Sequence, residues 1–254
     1  MNVADLRVPG LDDKRVLVTG AYSGIGRAMA QRFAANGARV GVHYASGRAA
    51  AEQLVAEIRS AGGRAEALEA DLMTPAGRAG LVPEFVARFG GLDVLVNNAG
   101  RLPRHDFLEI DDAALANVLS INLVAPFFLA QRAFAHMREH GGGRIINVSS
   151  VTIKWGGAPN TTHYSITKGG LEVLTVALAQ LGAPHHILVN TLRPGFTDSP
   201  MNAAMPAAAF EARVARLPLK RAVRPDEVAQ IALYLASSAA DAITGQTFSV
   251  TAGD

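Results

Sequence analysis

The stretch TGAYSGIG, residues 19–26, places three glycines within seven residues. An apolar run, RVLV, precedes it and predicts a β-strand, whereas apolar residues at helical spacing follow it and predict a helix. Glycine allows a tight turn between the two and brings the main chain close to a bulky anion, and the first amides of the helix then face a phosphate group. The turn therefore predicts a pyrophosphate-binding loop, with the alternative that any strand-to-helix turn can use glycine.

The remainder of the chain repeats this alternation of strand and helix. Strands are predicted at RVLVTG, ARVGVHY, AEALEADL, LDVLVNNAG, GRIINVSS, ILVNTLRPG and GQTFSVTAG, with helical patterns between them. These runs are nearly continuously apolar, as expected when both faces of a sheet are covered. We therefore expect an α/β fold, a doubly wound seven-stranded parallel sheet with helices on both faces, in a single domain over residues 1–254. Ser46 is the expected N-cap of the second helix, and Pro83 should bend or break the third.

The composition limits the possible functions. The chain has 254 residues, a hydrophobic share of 49%, and a net charge of +2 from 24 basic and 22 acidic residues. It contains no cysteine, which excludes thiol chemistry and fits a cytoplasmic location. No run of five like charges occurs, so we expect no nucleic-acid partner. The longest apolar stretch, residues 118–134, is interrupted by Asn122 and Pro126, so we expect a buried helix and no membrane span.

One segment interrupts the alternation of strands and helices. About thirty residues, 196–224, lie between the sixth strand and the last helix, and they contain small residues, three prolines and a short amphipathic piece. A long insertion in a compact domain is usually functional, and this one follows the carboxyl end of a strand, where open α/β sheets bind ligands. We expect a lid over the substrate, and a plain surface excursion is the alternative.

Several motifs mark the ends of the later strands. NNAG closes the fourth strand, NVSS the fifth and RPG the sixth, YSITK supplies a Tyr-x-x-x-Lys pair, and ITGQTFSV ends the pattern. Together with TGxxxGIG they resemble the short-chain dehydrogenase/reductase family, in order and at about the family's spacing, from Thr19 to about Val250. The resemblance, which includes 3-oxoacyl-carrier-protein-reductase-like members, implies a Rossmann-type fold and hydride transfer between a nicotinamide dinucleotide and a carbonyl or secondary alcohol.

The Tyr-x-x-x-Lys pair is a candidate acid/base unit. Tyr164 and Lys168 share one face of a helix, and a nearby ammonium lowers the pKa of a phenol; a surface tyrosine beside an unrelated lysine is the alternative. The resemblance implies that Tyr164 exchanges a proton with the substrate oxygen and that Lys168 holds the nicotinamide ribose and tunes Tyr164. It also implies that Ser150 hydrogen-bonds the reacting oxygen and that Asn122 anchors a water in a proton relay. Ser150 precedes Tyr164 by fourteen residues, one more than the family usually shows, and Ser149 fits this spacing worse.

The resemblance further implies a dinucleotide site assembled from the turns after successive strands. Asp71 and Leu72 would hold the adenine ring, and Ser199, with Thr197 as the other candidate, would bind the carboxamide. The residues predicted to bind the cofactor are Gly20, Ser23, Gly24, Ile25, Gly26, Tyr44, Ser46, Arg48, Asp71, Leu72, Asn98, Ala99, Gly100, Tyr164, Lys168, Pro194, Gly195, Thr197 and Ser199.

The end of the second strand bears on the choice of cofactor. NAD enzymes place a carboxylate there for the ribose 2′-hydroxyl, but Tyr44 occupies that position and no acidic residue follows before Glu52. Ser46, the start of the next helix and Arg48 could instead bind a 2′-phosphate. NADP(H) is therefore favoured over NAD(H).

The expected function is an NADP(H)-dependent oxidoreductase, above all a 3-oxoacyl-thioester or other ketone reductase. The alternatives are an NAD-dependent sugar or polyol dehydrogenase, a noncatalytic dinucleotide-binding regulator on the same fold, and a related epimerase or dehydratase.

The resemblance implies that the helices from Asp111 and Tyr164 pair in a homo-oligomer, a dimer or tetramer. His136 and His140 have metal-ligand spacing without a third ligand, so no metal site is expected. Trp155 could line the substrate pocket, pack in the core or contact another subunit.

Overall fold

A computed structural model describes residues 8–203 and 205–254, and a parallel β-sheet forms its centre. Within those residues seven strands are ordered β3-β2-β1-β4-β5-β6-β7, and every neighbouring pair is parallel. This confirms the predicted doubly wound, Rossmann-type sheet. The strands are β1 Arg15–Val18, β2 Arg39–Tyr44, β3 Arg64–Glu69, β4 Val94–Asn97, β5 Gly143–Val148, β6 Ile187–Pro194 and β7 Thr247–Val250.

The helices are α1 Gly24–Ala35, α2 Arg48–Ser60, α3 Pro75–Phe89, α4 Asp112–Leu119, α5 Ala125–Glu139, α6 Thr162–Gly182, α7 Pro200–Ala203, α8 Ala207–Arg216 and α9 Pro225–Ala236. They cover both faces of the sheet, because its central strands contribute apolar side chains to two separate cores. In β1, Val16 and Val18 pack on one side with α1, α2 and α9, while Leu17 packs on the other with α3, α5 and α6.

The strand order reverses between β1 and β4, and this reversal determines where the binding crevice lies. From β1 the chain first builds outward through β2 and β3, and then returns to add β4 on the opposite side. The two connections leave the carboxyl ends of β1 and β4 in opposite directions, so a crevice opens between them. The glycine-rich turn after β1 and the NNAG turn after β4 both lie at this crevice.

The break considered at Pro83 does not occur, and the predicted N-cap of α2 is wrong. The helix that begins at Pro75 continues through Pro83 to Phe89 without a break, because its buried face, which includes Phe85, is packed into the core. Ser46 does not cap α2: the N-cap is Gly47, in the left-handed conformation at φ 82°, and no side chain caps the first turn. The first amides of α2 therefore have no side-chain cap.

The long helical stretch after β4 is continuous, although its geometry changes in the middle. Asn122 and Pro126 interrupt the run of apolar residues without ending the predicted helix, because a π-helical turn, Ser120–Val124, joins α4 to α5. Among the described residues this stretch, Asp112–Glu139, is long and apolar enough to cross a membrane by length and composition alone, with a mean hydropathy of 1.8. In the structure its inward face, which includes Leu129 and Ala133, packs against the sheet.

The segment 196–224 projects from the carboxyl end of β6 and is closed at its base. Thr197 and Val223 form a β-bridge, and the Val223 amide donates to the carbonyl of Phe196 at 2.9 Å. The segment contains α7 and α8, and Phe210 of α8 packs on the ring of Phe196, with the centroids 5.0 Å apart. The base of the segment is thereby fixed beside the end of β6.

Candidate active site

The glycine-rich turn after β1 is built for close main-chain approach. Gly20 has φ 61°, in the left-handed region that favours glycine. At Gly26 a Cβ atom would lie 2.3 Å from the carbonyl oxygen of Gly20 and 2.5 Å from Nδ2 of Asn98, so no larger residue fits. Helix α1 then begins at Gly24, and no side chain caps its first amides. These amides can bind a pyrophosphate, as the sequence predicts.

Two polar side chains join this turn to the end of β4. The Thr19 hydroxyl accepts hydrogen bonds from the amides of Asn98 and Ala99, both at 2.9 Å. The Asn98 side chain donates in return to the carbonyls of Thr19 and Gly20, at 2.8 and 3.2 Å. The two turns that border the crevice are therefore held as one unit.

His43, at the end of β2, is a contributor to this cavity that the sequence reasoning missed. Its Nδ1 accepts the Gly20 amide at 3.0 Å, and its Nε2 donates to the carbonyl of Ala70 at 2.9 Å. Burial lowers the pKa of His43 to about 4, so the ring stays neutral near pH 7 and keeps this tautomer. A polar residue inside an apolar strand was the only available signal.

A second cavity, of about 440 Å³, continues from the crevice past the ends of β5 and β6. Helix α6 places Tyr164 and Lys168 one turn apart on its wall, and both side chains are buried. The Lys168 ammonium donates to the carbonyl of Val148 at 2.7 Å and lies 5.7 Å from the centre of the Tyr164 ring. The Ser150 hydroxyl lines the same cavity and acts to lower the pKa of the Tyr164 phenol. The predicted acid/base pair and its serine therefore meet in one cavity.

Burial sets the protonation of this pair. It raises the pKa of Tyr164 to about 12, against the smaller opposing effect of the hydrogen bond from Ser150. It also lowers the pKa of Lys168 to about 8. The sequence predicted that Lys168 lowers the pKa of the Tyr164 phenol. This is wrong for the net shift, because desolvation penalises both the phenolate and the ammonium, and the pKa of Tyr164 is raised. Near pH 7 Tyr164 is a neutral phenol, the form that can donate a proton.

The structure separates the two adjacent serines. Ser150 Oγ accepts hydrogen bonds from the Thr152 amide at 3.3 Å and the Thr152 hydroxyl at 3.2 Å, which leaves its own proton for Tyr164 or a substrate oxygen. Ser149 is buried and donates to the carbonyl of Lys168 at 3.2 Å. Ser150, as predicted, is therefore the serine placed beside the phenol, despite the longer spacing.

Asn122 lies in the π-helical turn and is completely buried. Its side chain accepts the Arg101 amide and donates to the Arg101 carbonyl, both at 2.9 Å, so it clamps the loop after β4. The main-chain carbonyl of Asn122 has no α-helical donor four residues later, because that residue is Pro126, which has no N–H. That carbonyl can accept a hydrogen bond from a water, which is compatible with the predicted relay.

Most of the predicted cofactor residues line one continuous crevice. The exceptions are Tyr44, whose hydroxyl donates to Glu69 at 3.1 Å, and Arg48, which pairs with the same carboxylate. Neither lines the crevice, and their role stays a prediction. Those that line it are Gly20, Ser23, Gly24, Ile25, Gly26, Ser46, Asp71, Leu72, Asn98, Ala99, Gly100, Tyr164, Lys168, Pro194, Gly195, Thr197 and Ser199.

The outer wall of the second cavity comes from residues without motifs. Trp155, at the end of a 3-10 helix, Val151–Trp155, lines the cavity and is 54% exposed, which excludes core packing and leaves the substrate pocket and a subunit contact as its roles. Met205 and Arg213 from the segment 196–224 lie on the same wall, as does Arg104 from the loop after β4. Arg104, Met205 and Arg213 belong to no motif of fixed spacing, so the sequence did not single them out, whereas Trp155 was a candidate.

Comparison with known proteins gives the family. A family model described as Enoyl-(Acyl carrier protein) reductase matches residues 20–253. The chain belongs to the short-chain dehydrogenase/reductase family. It is 40% identical, over 96% of its length and 97% of the relative's, to an L-rhamnose 1-dehydrogenase (NAD(P)(+)) of Azotobacter vinelandii. It is 36% identical, over 94% and 97%, to the 3-oxoacyl-acyl-carrier-protein reductase FabG of Staphylococcus aureus.

A solved structure extends this likeness to the fold. A short-chain dehydrogenase from Burkholderia cenocepacia, in complex with NADP, superposes with a TM-score of 0.90 at 33% identity, over 96% of this chain and 98% of that one. The chain is thus an NAD(P)-dependent oxidoreductase of this family. The amides of α1 that no side chain caps lie at the crevice beside the glycine-rich turn, and they fit a dinucleotide phosphate group.

Proposed function

We propose that the protein reduces a ketone, or oxidises a secondary alcohol in the reverse direction, with NADP(H) and with Tyr164 as the acid/base. The observation that carries the proposal is the buried neutral phenol between Ser150 and Lys168 in a cavity continuous with the dinucleotide crevice. The bound nicotinamide would supply or accept the hydride. The protein's own contribution is proton transfer and orientation.

Each catalytic side chain has a separate part in this proposal. Tyr164 donates its proton to the substrate oxygen as negative charge develops there. Thr152 holds the oxygen of the Ser150 hydroxyl by two hydrogen bonds. The Ser150 hydroxyl donates a second hydrogen bond to the substrate oxygen. Lys168 would bind the nicotinamide ribose and stabilise the phenolate that remains. Asn122 would hold a relay water that returns a proton toward the site.

The substrate is proposed to be a compact ketone or secondary alcohol. A cavity of about 440 Å³ must hold the nicotinamide end as well as the substrate, and its lining is largely apolar around Trp155 and Phe196. A 3-oxoacyl thioester is the second candidate, supported by the similarity to the Staphylococcus aureus reductase. A sugar, as for the Azotobacter vinelandii enzyme, is the third. The segment 196–224 would act as the lid over this substrate.

The test is Tyr164→Phe, assayed with a ketone panel and both NADPH and NADH. Removal of one acid/base group costs about 10²- to 10⁴-fold in kcat, so we expect a loss in this range with dinucleotide affinity within about threefold of wild type. Tyr234→Phe, on α9 outside both cavities, serves as the matched control. Full activity of the Tyr164 variant would refute the proton-donor assignment, whereas no turnover by the wild type with any ketone and either cofactor would favour the noncatalytic regulator.

We also propose a homo-oligomer formed through α5 and α6. Helix α6 exposes Ile166, Val173 and Val176 on one stripe, and Gly169 between them has open space where a Cβ would stand. A facing helix could approach closely along this stripe. Sedimentation of the purified protein as a monomer would refute this. A cytoplasmic location without membrane or nucleic-acid partners stays a prediction from the sequence.

A further inference from the structure

The charged side chains that line the catalytic cavity differ in whether they have partners. Lys168 is buried and donates to the Val148 carbonyl. Arg213 of α8 forms an ion pair with Asp254. Arg104 is exposed and lines the same cavity, yet within residues 8–203 and 205–254 it has no hydrogen bond, ion pair or ring contact. One guanidinium on the wall is therefore uncompensated.

No free carboxylate faces this guanidinium from the rest of the wall. Among the described residues that line the cavity, the only acidic one is Asp254. Its side chain is 8% exposed and is bound to Arg213, and its main-chain oxygen accepts a hydrogen bond from Lys154 at 2.9 Å. An anion that enters the cavity would therefore be attracted by the Arg104 guanidinium and repelled by no unpaired carboxylate of the wall. The apolar walls would strengthen the attraction.

The loop that carries Arg104 is held on both sides of it. On one side, Asn122 clamps the amide and carbonyl of Arg101. On the other, the His105 amide donates to the carbonyl of Asn160 at 3.0 Å. The main chain of Arg104 is thus fixed relative to the cavity, so less conformational freedom is lost when the guanidinium binds a ligand.

We propose that Arg104 determines specificity for substrates that carry a carboxylate remote from the reacting oxygen. The inference rests on the proposed function, because it takes the reacting end to lie at Ser150 and Tyr164. A guanidinium matches a carboxylate with two parallel hydrogen bonds. Because Arg104 and Tyr164 line one cavity of about 440 Å³, the body between the two ends is compact, such as a single saturated ring or a short chain.

The test uses 4-oxocyclohexanecarboxylate and its neutral carboxamide with the intact protein saturated with NADP⁺. Trp155 is the only tryptophan and lines the same cavity, so its fluorescence measures binding without turnover. We expect the carboxylate to bind about 10- to 100-fold more tightly than the carboxamide, as for a charge-assisted hydrogen bond. Arg104→Gln should remove this preference without changing carboxamide affinity, and Arg104→Lys should keep part of it.

The control is Arg138→Gln, an exposed arginine near the end of α5 outside both cavities, which should behave as wild type. With NADPH, Arg104→Gln should raise KM for the keto acid and change kcat little. Equal affinities for carboxylate and carboxamide, no saturable quenching by the carboxylate, or an unchanged preference in Arg104→Gln would each overturn the proposal. Binding that depends on Arg104 without turnover would uphold it and refute the proposed function instead.

Discussion

The two cavities meet at Ile25, Asn98 and Gly100. They differ in whether small residues or long side chains form their walls. The phosphate-binding part of the dinucleotide crevice is formed by residues with little or no side chain, such as Gly20, Gly24 and Gly26. The catalytic cavity beyond Tyr164 is walled by long side chains from loops and from the segment 196–224. A main-chain site tolerates few residue types at each position, whereas a side-chain wall can change its chemistry one residue at a time.

The strongest test of the main-chain half is Gly26→Ala. The added Cβ would meet the Gly20 carbonyl oxygen at 2.3 Å, so the turn must shift and the amides of α1 must move with it. We expect dinucleotide affinity to fall by about 100-fold or more, and the free energy of unfolding to fall by about 1–3 kcal/mol. Fluorescence titration with NADPH and urea denaturation measure the two effects.

Gly80→Ala is the matched control for this variant. Gly80 lies on an exposed face of α3, and a Cβ there has nothing within 4 Å. Alanine should leave affinity unchanged and raise helix stability by up to about 1 kcal/mol. If Gly26→Ala bound NADPH as wild type does, the close approach of main chain to the pyrophosphate would not be what shapes this half.

The side-chain half carries its own signature in the pH dependence of stability. The pKa of Lys168 is lowered by burial to about 8, whereas an unfolded lysine titrates near 10.4. Between these values the unfolded chain binds more protons than the folded one, so the free energy of unfolding contributed by Lys168 rises with pH. Without dinucleotide, the stability of wild type relative to Lys168→Met should therefore increase from pH 8 to pH 10.

Tyr164 limits the pH range of that experiment. Its pKa is raised to about 12, above the value near 10 of an unfolded tyrosine, so it begins to oppose the trend above about pH 10. Thermal unfolding of both proteins should thus be compared from pH 7 to 10. Parallel curves for wild type and Lys168→Met would mean that the lysine is not desolvated in the folded protein.

The difference between the halves also explains what the sequence could predict. Gly26 and the Tyr164–Lys168 pair were found because the tight turn and the helix turn require particular residues at fixed spacing. The parallel sheet with helices on both faces followed from the strict alternation of strand and helix. Ser150 was preferred to Ser149 because its spacing to Tyr164 is nearer to the family's usual spacing, and in the structure Ser149 donates instead to the main-chain carbonyl of Lys168.

What the sequence did not predict depends on neighbours distant in the chain. The continuity of the helix through Pro83 depends on a core that no local propensity describes. The raised pKa of Tyr164 depends on burial rather than on the spacing to Lys168. His43 and Arg104 have no motif, and their places follow only from the carbonyls, amides and cavity walls that the fold brings to them.

At the end of the crevice beside β2, side chains rather than main chain could set the preference between NADPH and NADH. Tyr44 and Arg48 both bind Glu69, a carboxylate that β3 brings beside the end of β2. Glu69→Gln would release Arg48 and remove a charge that repels a 2′-phosphate, so the NADPH-over-NADH preference in kcat/KM should rise about two- to fivefold, a small effect because the pair is exposed to solvent. Glu66→Gln, which removes an equal charge near Arg88, is the control. An unchanged preference in Glu69→Gln would mean that Arg48 does not face the ribose and that the choice of cofactor is made by main chain, as in the rest of this half.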